Sequence, residues 1–214
     1  MVQRLTGLAV LTLAPALMAF GAQAQEQLFR TWFEAPESVM AGETFQVWLW
    51  ATYELGAVAV PPDENVPAHL YSVYGSIEVT GDLLTFDRIS RILGGLPYHL
   101  SLGTPDGSWL WDFAVLQSAY IPGGVVEYQN PLAVAMFEVT TTEATHGDLD
   151  IYFRPPSILE VPYVDWWEGS TSDWISTIDP GVGLIAESIT VRVIPAPASI
   201  AILGLATLAA RRRR

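Results

Sequence analysis

An all-β sandwich of two packed antiparallel sheets is the fold this sequence predicts, and three observations predict it. Apolar residues recur with a period of two along much of residues 25–194, the spacing that buries one face of a strand. Glycine, proline and aspartate cluster between those runs, where turns belong. No long helical period fits anywhere in that region, which leaves sheet packed on sheet as the way to bury the apolar faces.

The strands follow in order. Residues 28–34 and 44–52 open the series, both rich in aromatic and β-branched side chains. In residues 71–80, Tyr71, Val73, Gly75, Ile77 and Val79 alternate with polar neighbours, so one face is predicted to be buried. Residues 83–88, 109–115 and 131–141 are further strands by composition. Leu149, Ile151 and Phe153 alternate with Asp148, Asp150, Tyr152 and Arg154, and Ile189, Val191 and Val193 close the series. Turn chemistry separates these runs at Ala41-Gly42, Thr80-Gly81-Asp82, Gly94-Gly95, Pro105-Asp106-Gly107, Pro122-Gly123-Gly124 and His146-Gly147-Asp148.

Both termini read as addresses rather than fold. Arg4 precedes an apolar stretch over residues 8–20, and Ala22-Gln23-Ala24 fits the small-x-small pattern of a signal-peptidase site, so cleavage is expected after Ala24. At the other end Pro195-Ala196-Pro197 precedes an apolar run over residues 198–210 and then Arg211, Arg212, Arg213 and Arg214. Prolines end the domain there, and the arginines favour the cytoplasmic side, leaving the domain outside. A run of that length rises only about 20 Å as a helix, so snorkelling arginines and a thinned bilayer are needed for it to span.

Removing both ends leaves residues 25–194, one domain, with five arginines, no lysine and all 23 acids, a formal charge of -18. Such a field repels phosphate backbones and argues against nucleic acid as a partner, while cations and neutral glycans remain admissible. Cysteine is absent, which excludes disulfide staples, thiol catalysis and Cys-ligated metals. A domain near this length still buries roughly 70% of its unfolded surface.

Candidate chemistry is sparse. His69, His99 and His146 lie apart without metal-ligand spacing and read as loop residues, and no nucleophile elbow, P-loop or dinucleotide fingerprint occurs. Carboxylates are too numerous for their abundance to indicate a glycosidase pair. Asp148 and Asp150 share one face of a strand start, either as oxygen ligands for calcium or as charges that keep an edge strand soluble. Trp48 with Trp50, and Trp109 with Trp111, sit two apart, so each pair shares a face and reads as core, with a stacking platform as the alternative. Residues 163–174, within a loop expected over residues 155–183, carry Trp166, Trp167 and Trp174, which either cover the sandwich as a lid or offer a sugar-binding face.

Two resemblances add to this reading. Pro195-Ala196-Pro197, the apolar run and the arginine cluster resemble the sorting signal of the PEP-CTERM family, with Ala196 where that family's glutamate usually stands. The resemblance implies passage through the inner membrane, recognition by an exosortase-like membrane protease and an association with exopolysaccharide. The run from Pro36 to Phe45 between two strands, and the later strands over 131–139 and 149–153, are similar to cohesin-like, and more broadly immunoglobulin-like, sandwiches. The expectation is therefore an exported, non-catalytic cell-surface or matrix protein with no obligatory cofactor. The alternatives are a carbohydrate-binding module using residues 163–174, and behind it a secreted hydrolase.

Overall fold

The computed structural model describes residues 27–54, 69–81, 88–117, 126–167 and 174–196. The signal segment with Ala22 and Ala24, the tail from Pro197 through Arg214 with its expected helix, and residues 83–87 of one expected strand lie outside the described residues. Within them the chain forms β1 (Gln27–Glu34), β2 (Ser38–Met40), β3 (Thr44–Glu54), β4 (His69–Gly81), β5 (Arg88–Ile89), β6 (Gly94–Gly95) and β7 (Tyr98–Asp106). There follow β8 (Trp109–Leu116), β9 (Leu132–Thr140), β10 (Gly147–Arg154), β11 (Tyr163–Trp167), β12 (Trp174–Ser176), β13 (Val182–Ala186) and β14 (Ile189–Ile194). One sheet runs β13-β1-β3-β9-β5 with β6 also on β9, and the other runs β12-β11-β4-β10-β14-β2 with β8 on β4 and β7 on β8. The chain is an all-β sandwich.

Alternation does what the sequence predicts in its regular strands. Phe45, Val47, Leu49, Ala51 and Tyr53 of β3, Leu149, Ile151 and Phe153 of β10, and Val191 and Val193 of β14 turn inward together. Between the layers, Tyr53 of the first sheet meets Trp166 of the second at 5.3 Å, and within the first sheet Phe33 of β1 meets Phe137 of β9 edge-on at 6.3 Å. Gly75 lies beneath the Phe153 ring, where a Cβ would collide with it, so glycine here serves close packing as well as the pattern.

Two pairings depart from the purely antiparallel expectation. β1 pairs with β13, and β14 with β2, in parallel. The first and last strands travel together: each leaves the first sheet and enters the second, and hydrogen bonds continue between them across the crossing. Glu187 N donates to Thr31 O at 2.8 Å, Arg192 N to Glu37 O at 3.0 Å and Ala41 N to Ile194 O at 2.8 Å. The peptide groups exposed by the change of sheet are thereby satisfied.

Residues 155–183 are not one loop. Prolines 155, 156 and 162 break the chain only briefly, and β11 then resumes along the same flank of β4 that β10 occupies, while β8 takes the opposite flank. A register shift between Asp165 and Trp166 puts Val164, Asp165, Trp166 and Trp167 all out of solvent, so period two is lost and sequence patterning cannot detect the strand. Strand β7 escaped for a related reason, since it carries a shift between His99 and Ser101 and only Gly103 of its residues is buried. Gly94-Gly95, expected to turn, forms a short strand on β9 instead.

Side-chain amides and one carboxylate finish the ladders. The Asn130 amide donates to Tyr53 O at 2.9 Å and accepts from Tyr53 N at 3.2 Å, acting as one more strand residue for β3. Asp165, 5% exposed, accepts from Ser72 N at 2.7 Å and from the Tyr163 hydroxyl at 3.0 Å. Burial pushes its carboxyl up from 3.8 to about 6, against the opposing pull of those hydrogen bonds. A folded-state value above the unfolded one means that the folded protein holds the proton more tightly. This contribution is therefore most favourable below pH 3.8 and is lost as pH rises through 6. Replacing Asp165→Asn removes the cost of ionisation, so the stability of the variant relative to the parent is expected to rise by about 2 kcal/mol between pH 4.5 and 7.5. Urea unfolding of both proteins at the two pH values checks this, and a difference independent of pH would contradict it.

Candidate functional site

The outer face of the first sheet carries the most developed surface among the described residues. Because β3 gives its aliphatic positions and Phe45 to the core, Gln46, Trp48, Trp50 and Thr52 must point the other way. On β1, burial of Phe29, Thr31 and Phe33 likewise turns Arg30, Trp32 and Glu34 outward. Register then places Trp32 beside Trp50, Glu34 beside Trp48, and Trp48 beside Met136 of β9. The sequence reading of Trp48 and Trp50 as core is thus corrected, since their strand already meets the core with its opposite face.

An open cleft of about 560 Å³ results, lined by Glu34, Ala35, Pro36, Gln46, Trp48, Trp50 and Ala133. Trp32 and Trp50 are near-parallel, 10° apart with ring centroids separated by 6.2 Å. The Trp50 indole nitrogen has no hydrogen-bond partner among the described residues. Beyond Trp48 lies a smaller hollow of about 200 Å³ bounded by Gly95, Leu96, Pro97, Glu127, Leu132 and Ala133. Gly95 has φ +111°, and a Cβ there would strike the Val134 carbonyl, so glycine is what lets β6 approach β9 closely. Arg30 lies 3.6 Å from Glu54 and 3.8 Å from Glu187, leaving this face acidic. Chemically the cleft offers indole faces for apolar contact, a carboxylate that accepts and an amide that does both.

The second sheet also turns tryptophan outward. Trp109 and Trp111 stack with centroids 4.1 Å apart and planes 4° apart, again not core, because Leu110, Phe113 and Val115 fill that role. An extra residue in β8 at this point, Asp112 with φ 55°, accepts from the amide and hydroxyl of Ser157, each at 2.7 Å. Beside the pair, the Arg154 guanidinium donates to Glu78 at 2.7 Å and lies 4.4 Å from the centre of the Tyr152 ring.

The residues singled out in the sequence fare differently. Trp166 and Trp167 are buried, 4% and 2% exposed, against Tyr53 and His69 respectively, so they present no ring face for a sugar. Trp174 is 41% exposed and packs edge-on against Tyr71 at 4.2 Å. His69, expected in a loop, is a strand residue at 1% exposure. His99 is an exposed residue of β7, and His146 lies just before β10. Asp148 and Asp150 do share a face, but Asp148 is 3.4 Å from the Arg192 side chain and Asp150 accepts from Thr190 at 2.6 Å. An arginine thus stands where a calcium ion would need open charge, and among the described residues no three His, Cys, Asp or Glu side chains come together as ligands. The second-sheet network of Asp165, Tyr163 and Ser72 had no sequence signal, because only the bulge brings that carboxylate inside.

No protein-family model and no curated protein matches the chain. Solved structures do, among them a type II cohesin domain from the cellulosome of Acetivibrio cellulolyticus, at 10% identity over 77% of this chain and 95% of that one, with a TM-score of 0.44. A type I cohesin–dockerin complex from Clostridium thermocellum is similar at 11% identity, 77% and 99% coverage and a TM-score of 0.43. A cohesin of R. flavefaciens in complex with a dockerin is similar at 12% identity, 81% and 99% coverage and a TM-score of 0.41. At this level of likeness the sandwich is read from the chain's own strands and the site from its own side chains.

The outward orientation of Trp50 has a direct consequence. Phe29→Ala, in the core, is expected to cost about 3–5 kcal/mol, and Trp50→Ala less than half as much. Denaturant unfolding compares them, and equal losses would place Trp50 in the core.

Proposed function

We propose that the chain is an exported, non-catalytic protein of the cell surface or extracellular matrix, presented as a β-sandwich and sorted through its C-terminal signal. In this reading the export machinery and a signal peptidase release the domain after Ala24. The apolar tail then holds it at the inner membrane, until an exosortase-like protease acts at Pro195-Ala196-Pro197. The observation that supports the reading is a pair of signal-like segments in the sequence, the apolar stretch before Ala22-Gln23-Ala24 and the apolar run between Pro195-Ala196-Pro197 and Arg211 to Arg214. The position of Ile194 as the end of the last strand, directly before Pro195, supports a boundary there.

A second reading, a carbohydrate-binding domain, draws support from the outward tryptophans. Its centre moves from residues 163–174 to the outer sheet faces, since two of the three rings in that segment are buried.

Intact mass and location of the native protein in fractionated cells test the export reading. The expected species begins at Gln25, ends near Pro195 and is found outside the inner membrane. A protein that retains Arg214 would overturn the sorting step, and one retaining Met1 in the cytoplasm would overturn export.

A further inference from the structure

We infer that the cleft on the outer face of the first sheet is a binding site for a neutral polysaccharide chain, with Trp48 and Trp50 as its stacking residues and Glu34 and Gln46 as its hydrogen-bonding residues. The inference deepens the surface-protein reading and rests on it only for where the ligand is met. Two observations select the ligand class. The walls are two indoles with Ala35, Pro36 and Ala133, an apolar surface suited to the C–H faces of sugar rings. At the rim are a carboxylate and an amide, which accept from and donate to hydroxyls.

Charge narrows the class further. Arg30 is already set between Glu54 and Glu187, while Glu34 and Glu138 flank the tryptophan row. An anionic glycan would meet repulsion there, with no cation among the residues that line the cleft. A basic peptide would be attracted, but by an acidic charge of -18 spread over the whole domain, five arginines against 23 acids, and so without preference for this cleft. The continuation past Trp48 into the hollow beside Gly95 gives an extended chain a second place to lie, which a single sugar would not need.

Affinity electrophoresis and pull-down of the full-length protein, purified in detergent, test the site with cellulose, mannan, xyloglucan, mixed-linkage glucan and dextran as probes, and alginate and oligo-lysine as charged controls. Retention by at least one neutral glycan is expected, weakened tenfold or more by Trp48→Ala or Trp50→Ala and unchanged by Trp174→Ala. Gln46→Ala, an exposed change that leaves the core intact, is expected to weaken retention severalfold and guards against loss through misfolding. The inference is overturned by no retention on any neutral glycan, by retention indifferent to Trp48, Trp50 and Gln46, or by retention confined to alginate or oligo-lysine. Location and intact mass report on export separately, so either reading can fail without the other.

Discussion

Strand β4 is the constraint on which the second sheet, and through it the sandwich, depends. It has thirteen residues and is paired along both flanks, by β8 on one side and by β10 and β11 in succession on the other. A strand bonded on both sides satisfies its N–H and C=O groups away from water, which allows Val73, Ile77 and Val79 to be wholly buried. Because two separate segments share one flank, the chain between them must leave and return, and prolines 155, 156 and 162 occupy that excursion. Asp165 then bonds β11 to β4 through Ser72 N, a buried carboxylate doing the work of a backbone acceptor at the point where the register slips.

The first sheet answers to a different demand. With both aromatic and aliphatic residues on β3, only one set can face the core, and the smaller aliphatic positions with Phe45 and Tyr53 are the ones that interdigitate with β4 and β10. Tryptophan is thereby sent outward at Trp48 and Trp50, where the rings are half-buried and line an open cleft. The fold thus creates the cleft as a by-product of core packing, and Ala133 and Gly95 keep it open by having little or no side chain of their own. The acidic surroundings set what it can meet, since neutral hydroxyls gain from carboxylate acceptors while anions are repelled.

Legibility in the sequence tracked regularity. Strands β1, β3, β4, β8, β9, β10 and β14 were readable because their side chains alternate or because their composition is strongly β-forming. Strands β7 and β11 were not, because a single bulged residue shifts the phase and places polar and apolar side chains on the same side. The site was half legible: the i, i+2 spacing of Trp48 and Trp50 put both on one face, but period two does not say which face is the core. That choice left Trp48 and Trp50 outside, the reverse of their reading as core, and Trp166 and Trp167 inside, which agrees with a covering role for their segment and not with a sugar-binding face.

By itself, then, the sequence determined the all-β class and the lysine-free, acidic composition, since each follows from local pattern or residue counts. Tertiary structure decided which tryptophans face water, which carboxylate is buried and how the first and last strands pass together from one sheet to the other. Those outcomes depend on what lies across the sheet from each residue. Contacts between segments far apart in the chain, such as Trp50 with Trp32 or Asp165 with Ser72, leave no periodic trace in either segment alone.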